Sequence, residues 1–285
     1  MKKTVAISAF LALAAFAAAP EVQAKDWKTV TIGLEGDYEP WNLTKPDGTL
    51  GGFEIELAND LCARMKVECK YIAQDWDGMI AGLNAGKFDV IMDAMSITPE
   101  REQQIAFSRP YAQTPAGFAG LKSSDLAKMD GTGTMVSLTG DAAHDKATVE
   151  ILRKALKGKT IGIQTATVYT DFVKNNFGDI ATITEYKTAP EHDLDVTANR
   201  IDVAFDDDTY FTSAFAKPGN DQMVLVGPQI GGSIWGKGIG PGFRKDDADL
   251  RDKFDKAIAD AIADGTVKKL SLKWFKLDVT PAATP

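Results

Sequence analysis

Arg101 is the residue whose chemistry and position say most. It falls in the first turns of a segment opened by Pro99, just after an apolar run that ends at Met95, and open α/β sheets collect ligands at such strand ends. A guanidinium there grips a carboxylate through two parallel hydrogen bonds. Backbone donors around Ser96 and Ile97 would serve the same anion. Carboxylates stand at matching places: Glu35 closes the first strand, Asp93 lies in the strand before Arg101, and Asp206 to Asp208 close a strand of the second half. Gathered at a cleft, such groups recognise ammonium or guanidinium. A turn or cap is the plainer expectation for Asp206 and Asp208. Asp93 is different, because an aspartate inside an apolar strand is costly unless paired. Tyr38, Trp41 and Trp76 sit by polar loops at the same edge. Tyr38 and Trp76 are the expected contacts to the flat or aliphatic part of a cation.

Periodicity supplies the elements that must position these groups. Residues 29–34 read as a strand, 54–65 as a helix with Ile55, Leu57, Leu61 and Met65 on one face, 67–73 as a strand, 76–85 as a helix stopped by Gly86, and 89–95 as a strand. A helix over 99–105 starts with Pro just inside it. Strands over 159–164, 181–186 and 201–206 and helices over 168–176 and 191–199 repeat the alternation, so α/β order with a mostly parallel sheet is expected. Two sets of similar size predict two lobes: residues 25–113 with 237–285, and residues 114–236. Residues 111–121, apolar but with Pro and Gly, suit a strand passing between lobes. Residues 125–145 read as a surface insertion. The glycines from Gly231 to Gly242 precede a helix over 247–263 and suit a return crossing with close backbone approach. They lack the spacing of a phosphate loop.

Lys2 and Lys3, an apolar run from Val5 to Ala19, and small residues up to Ala24 read as an export signal over residues 1–24, cleaved after Ala24. The apolar run is too short to span roughly 30 Å of hydrocarbon. The first residue after the cut is Lys25 and not a cysteine that could carry a lipid. Cys62 and Cys69 are the only cysteines. In an oxidising compartment they are expected to pair, their spacing fitting a helix end that turns back to a strand; two unconnected core cysteines are the alternative. With two histidines in the chain, neither a metal nor a cofactor is expected. The formal charge of −8 becomes −9 once the leader takes away two lysines and one glutamate. That balance argues against nucleic acid as a partner.

Taken together, several segments resemble the family 3 solute-binding proteins of ABC transporters for polar amino acids. They are Gly33 to Trp41, Gly52 to Asp60, Asp77 to Gly86, Met95 to Arg101, and Ile262 to Val267 with Trp274 and Phe275, and the likeness runs from Thr29 to about Asp278. It implies a two-lobed periplasmic binding fold of type II that closes by a hinge. It also implies roles. Arg101 would hold a ligand α-carboxylate with Ser96 and the backbone of Thr167, Asp207 would accept the α-ammonium, and Glu35 would meet a distal cation between Tyr38 and Trp76. Ala94 and Ala166 complete the expected contacts. Cys62 and Cys69 match paired cysteines of the lysine/arginine/ornithine-binding branch. The 125–145 insertion and the ending from Ser271 to Pro281 look like the nopaline- and octopine-binding proteins. Asp93 replaces the Ala or Ser of those relatives and is expected to add a carboxylate, while Asp207 matches the amino-acid binders rather than the opine branch.

The resemblance implies a periplasmic, monomeric receptor for arginine, ornithine, lysine or histidine, delivering to an inner-membrane ABC permease. An octopine- or nopaline-type arginine conjugate is the alternative ligand. Periplasmic cyclohexadienyl dehydratases share the scaffold, with Asp93 then a general acid. A sensor docking on a membrane kinase would use every pocket residue of the receptor.

Overall fold

The computed structural model describes residues 25–281, so the leader expected over residues 1–24 lies outside the described residues. Strands assemble into two main sheets. In the first, Thr29–Leu34 sits between Glu68–Ala73 and Val90–Ile91, parallel to both, while Gly242–Phe243 runs antiparallel to Val90–Ile91 and to the edge strand Ala106–Phe107. In the second, Thr160–Gln164 is parallel to Thr182–Tyr186 and to Val203–Asp207. Ala116–Leu121 then lies antiparallel between Val203–Asp207 and Met223–Gly231. The expected mostly parallel sheet is therefore mixed in both lobes. The cause is the crossing: the strands reached just after the chain changes lobe, Ala116–Leu121 and Gly242–Phe243, enter from the opposite direction.

Helix Phe53–Met65 is amphipathic, with Phe53, Leu57 and Leu61 buried against the first sheet, and it ends where Lys66 adopts φ 59°. Gly52 starts it at φ 113°, where a Cβ would come within 2.4 Å of the Trp41 carbonyl oxygen; only glycine fits that approach. Cys62, near the helix end, is joined to Cys69 on the next strand by a disulfide with Cα atoms 6.1 Å apart. Closing so short a loop contributes about 2 to 3 kcal/mol. Trp41, the aromatic left out of the expected contacts, is fully buried core, packed on Phe53 and Phe275. The C-terminal helices Ala248–Ala263 and Thr266–Trp274 cover the same face.

Two boundaries moved for local reasons. The strand expected over 89–95 is only Val90–Ile91, because Asp93 and Ala94 leave the ladder, Ala94 at φ 46°. The helix expected over 99–105 stops at Glu102 after one turn, capped by Thr98, whose hydroxyl accepts from Arg101 N at 3.3 Å. The insertion is more than surface. Its Met135–Ser137 pairs with Met223–Gly231 as the sixth strand, and Leu126, Met129 and Leu138 are buried in the second core. The glycine run makes the expected close approach: Gly236, at φ 92°, would set a Cβ 2.2 Å from the Ile97 carbonyl oxygen where the lobes meet.

Candidate functional site

Both sheets turn their carboxyl ends to one cleft. It holds a cavity lined from the first lobe by Glu35, Tyr38, Trp76, Asp93, Ala94, Ser96 and Arg101, and from the second by Gln164, Thr167, Val168, Tyr169 and Asp207. Of the ten residues expected at the site, Ala166 alone stands outside the wall: it is exposed and reaches the cleft by its carbonyl, 3.4 Å from Arg101 Nη2.

Arg101 donates from Nη1 to the Ser96 carbonyl at 3.0 Å and lies over the Trp76 ring, 5.2 Å from its centroid. Its hydrogen-bond partners among the described residues are carbonyls, with no carboxylate to balance the charge. Burial lowers its pKa to about 10, so it remains a cation at neutral pH. A guanidinium with no carboxylate hydrogen-bonded to it and a ring on one side has the chemistry to grip a carboxylate.

The acids face it in unequal states. Asp93, 3% exposed, accepts from Glu35 N and Asn42 Nδ2 at 2.9 Å through Oδ1, while Oδ2 is buried without a protein partner among the described residues. Asn42 also donates to Glu54 at 2.8 Å, and Glu54 takes Ala94 N at 2.7 Å and the Tyr111 hydroxyl. Burial, then the charges of Glu35 and Glu54, hold the Asp93 carboxyl well above the usual range. Glu35 is pushed up to about 7, first by burial and then by neighbouring acids, against the hydrogen bond it accepts from Gln164. Asp207 is the cap of helix Asp208–Ala214, accepting from Thr209 N at 2.8 Å and from the Thr114 hydroxyl. Burial, outweighing those bonds, raises it to about 6. Three carboxyl groups thus share a cavity with one guanidinium.

Sequence reasoning passed over Gln164 and Tyr169. Gln164 was within reach: it ends a strand as Glu35 and Asp207 do, but only charged groups were sought there. Its Nε2 crosses the cleft to both Glu35 oxygens, at 2.9 and 3.1 Å. Tyr169, on helix Val168–Phe177, packs edge-on to Phe205 and Trp235, and nothing in its own sequence context marks it as a wall of the cavity.

Residues 30–277 match the family described as bacterial extracellular solute-binding proteins, family 3. The chain belongs to that family. This family 3 protein is 42% identical to an octopine-binding periplasmic protein of Rhizobium meliloti, over 98% of this chain and 99% of that one. It is 33% identical to an L-arginine-binding protein of Pseudomonas aeruginosa, over 88% and 90%. Among solved structures, a periplasmic His/Glu/Gln/Arg/opine family-binding protein from Silicibacter pomeroyi in complex with lysine aligns with a TM-score of 0.70 at 31% identity, covering 89% of this chain and all of that one. The two lobes are those of the type II periplasmic binding proteins. Among the described residues no helix is long and apolar enough to cross a membrane. The lobes of this solute-binding protein are bridged around the cavity by Lys187 to Asp75 at 2.6 Å and by the Trp41 indole N–H to the Thr209 hydroxyl at 2.9 Å, which is a closed arrangement.

Proposed function

We propose that the chain is the periplasmic receptor of an ABC importer and holds a cationic amino acid, arginine, ornithine, lysine or histidine, in the interlobe cavity. The observation that carries this is the charge balance of the wall: Glu35, Asp93 and Asp207 against Arg101. A ligand with one carboxylate and two cationic groups satisfies all four, and it gives the unpartnered Asp93 Oδ2 a donor. Arg101 takes the α-carboxylate, Asp207 the α-ammonium, and Glu35 with Asp93 the distal cation, with Trp76 and Tyr38 flanking its stem. The lobes divide as residues 25–113 with 237–285 and residues 114–236, the leader is cut after Ala24, and the mature monomer docks on an inner-membrane permease.

A thermal-shift and calorimetry panel tests the reading. Ligand at about 100 times its dissociation constant adds about 2.7 kcal/mol, so stabilisation by at least one cationic amino acid is expected. A flat response to all of them removes the proposal.

Octopine is the second reading, favoured by the 42% identity to an octopine-binding protein. Its extra carboxylate needs another cation, and Arg101 is the only one among the described lining residues. Competition between arginine and octopine ranks the two. The chain is read as a binder rather than a dehydratase because its relatives are named for binding; turnover of prephenate or arogenate would reverse that.

A further inference from the structure

Behind the cavity wall lies a ring of side chains that ligand chemistry leaves unexplained. Tyr38, its only member from the first lobe, donates its hydroxyl proton to Asp206 Oδ1 at 2.5 Å. The other oxygen of Asp206 stands 3.2 Å from His192 Nε2, and His192 Nδ1 stands 3.1 Å from Asp193 Oδ1. Asp193 Oδ2 accepts from the Tyr210 hydroxyl at 2.6 Å. Tyr210 closes the ring by stacking on Tyr38, centroids 5.0 Å apart and planes within 6°. His192 is fully buried, and Asp206 and Asp193 nearly so.

An imidazole with a carboxylate at each nitrogen donates from both, so it is the imidazolium. Burial alone would depress its pKa, but hydrogen bonds to Asp193 and Asp206 and their charges win and bring it up to about 9. The edges of Tyr186 and Tyr210 also face the imidazole, with Phe211 beside it, and none of them supplies a competing charge at neutral pH. His192 lies outside the cavity lining. Its way to the cavity runs through Asp206 to Tyr38.

From this geometry we infer that His192 is a positioning residue for ligand retention: by neutralising and aiming Asp206 across the cleft, it fixes Tyr38 as the closed wall of the cavity. The inference rests on the receptor reading above. A buried carboxylate without its countercharge is costly, so without His192 the bond to Tyr38 loses its anchor. Lobe separation must break that bond and unstack Tyr38 from Tyr210, so the ring acts on ligand escape and not on entry.

The test is stopped-flow kinetics of the intact wild type, Y38F, H192Q and the double variant, with whichever of arginine, ornithine, lysine, histidine and octopine the wild type binds. Each single variant is expected to speed dissociation roughly tenfold or more, the size of one lost hydrogen bond to a charged group. Association should stay within about twofold, and the double variant should release no faster than the quicker single one. A dissociation rate that H192Q leaves unchanged overturns the inference. So does an H192Q effect that multiplies with that of Y38F, because it marks general loosening. Where H192Q does not fold, D206N takes its place with the same expected non-additivity and the same overturning result. A wild type that binds none of the five ligands removes the receptor reading instead. The ring is then read by small-angle scattering of the unliganded chains, where Y38F and H192Q should raise the radius of gyration and an unchanged radius overturns it.

Discussion

The two lobes bring similar strand ends to the cleft and finish them differently. In the first, the polar groups facing the cavity are left partly unmet: Arg101 is held by carbonyls alone, and Asp93 keeps one buried oxygen without a partner among the described residues. In the second, the carboxylates are committed before any ligand arrives. Asp207 caps a helix and takes the Thr114 hydroxyl, and Asp206 is shared between His192 and Tyr38. Asp208 leaves an oxygen unpaired too, but it lies against Gly117, outside the cavity lining. An unmet buried charge is worth more to a ligand than a satisfied one, because binding then recovers a desolvation cost already present. The first lobe is therefore the chemical platform and the second the closing wall. Both place an alanine at positive φ in the turn beside the site, Ala94 at 46° and Ala166 at 58°, so the backbone strain is shared while the charge is not.

The largest expected effect contrasts Arg101 with Asp207. Arg101→Ala should weaken binding of any α-carboxylate ligand by about 2 to 5 kcal/mol and leave unliganded stability nearly unchanged. Asp207→Ala should lower stability itself by about 1 to 2 kcal/mol through the lost cap. Calorimetry paired with urea melts reads both, and equal stability losses would break the comparison.

The next effect concerns Glu35, whose carboxyl rises from an ordinary 4.5 to about 7 in the folded chain. The folded state then holds more protons than the unfolded one between those values, so the contribution to stability is full below 4.5 and is lost as pH rises through 7. Unliganded wild type should lose on the order of 2 kcal/mol relative to Glu35→Gln across that window. A bound cation holds Glu35 ionised, so binding near pH 6.5 should release protons, seen as a heat that changes with the buffer's ionisation enthalpy. Equal heats in all buffers would place the cation elsewhere.

The smallest expected effect tests the shared strain. Ala94→Gly and Ala166→Gly should each add about 1 kcal/mol or less to stability, since glycine takes positive φ without the Cβ clash. A loss at one and a gain at the other would show that the lobes differ in backbone strain as well as in charge.

Part of the site was legible because a charge at or inside an apolar run has few structural reasons to be there: Glu35 closes one strand, Asp93 lies inside another and Arg101 starts the helix that follows, while Asp207 was singled out from its acidic neighbours by the family resemblance. Gln164 and Tyr169 were missed because an amide at a strand end and a tyrosine on an amphipathic helix look like ordinary surface and core. His192 was counted only as one of two histidines, too few for a metal site. Its partner Asp206 is close in sequence, but Tyr38 is 154 residues away, and only the closed cleft joins them.

The sequence by itself determined the α/β order, the charges at one sheet edge and an expected Cys62–Cys69 pair, which rest on local spacing, burial of apolar faces and redox chemistry, while the family was legible from segments spread along the chain. Only the tertiary structure decided which carboxylates are already spent. Asp93 stood out as an acid inside an apolar strand and Asp206 as a turn or cap, but neither reading names a partner. Hydrogen-bond satisfaction depends on neighbours brought from distant positions, so one remains open to a ligand and the other is locked to His192 and Tyr38.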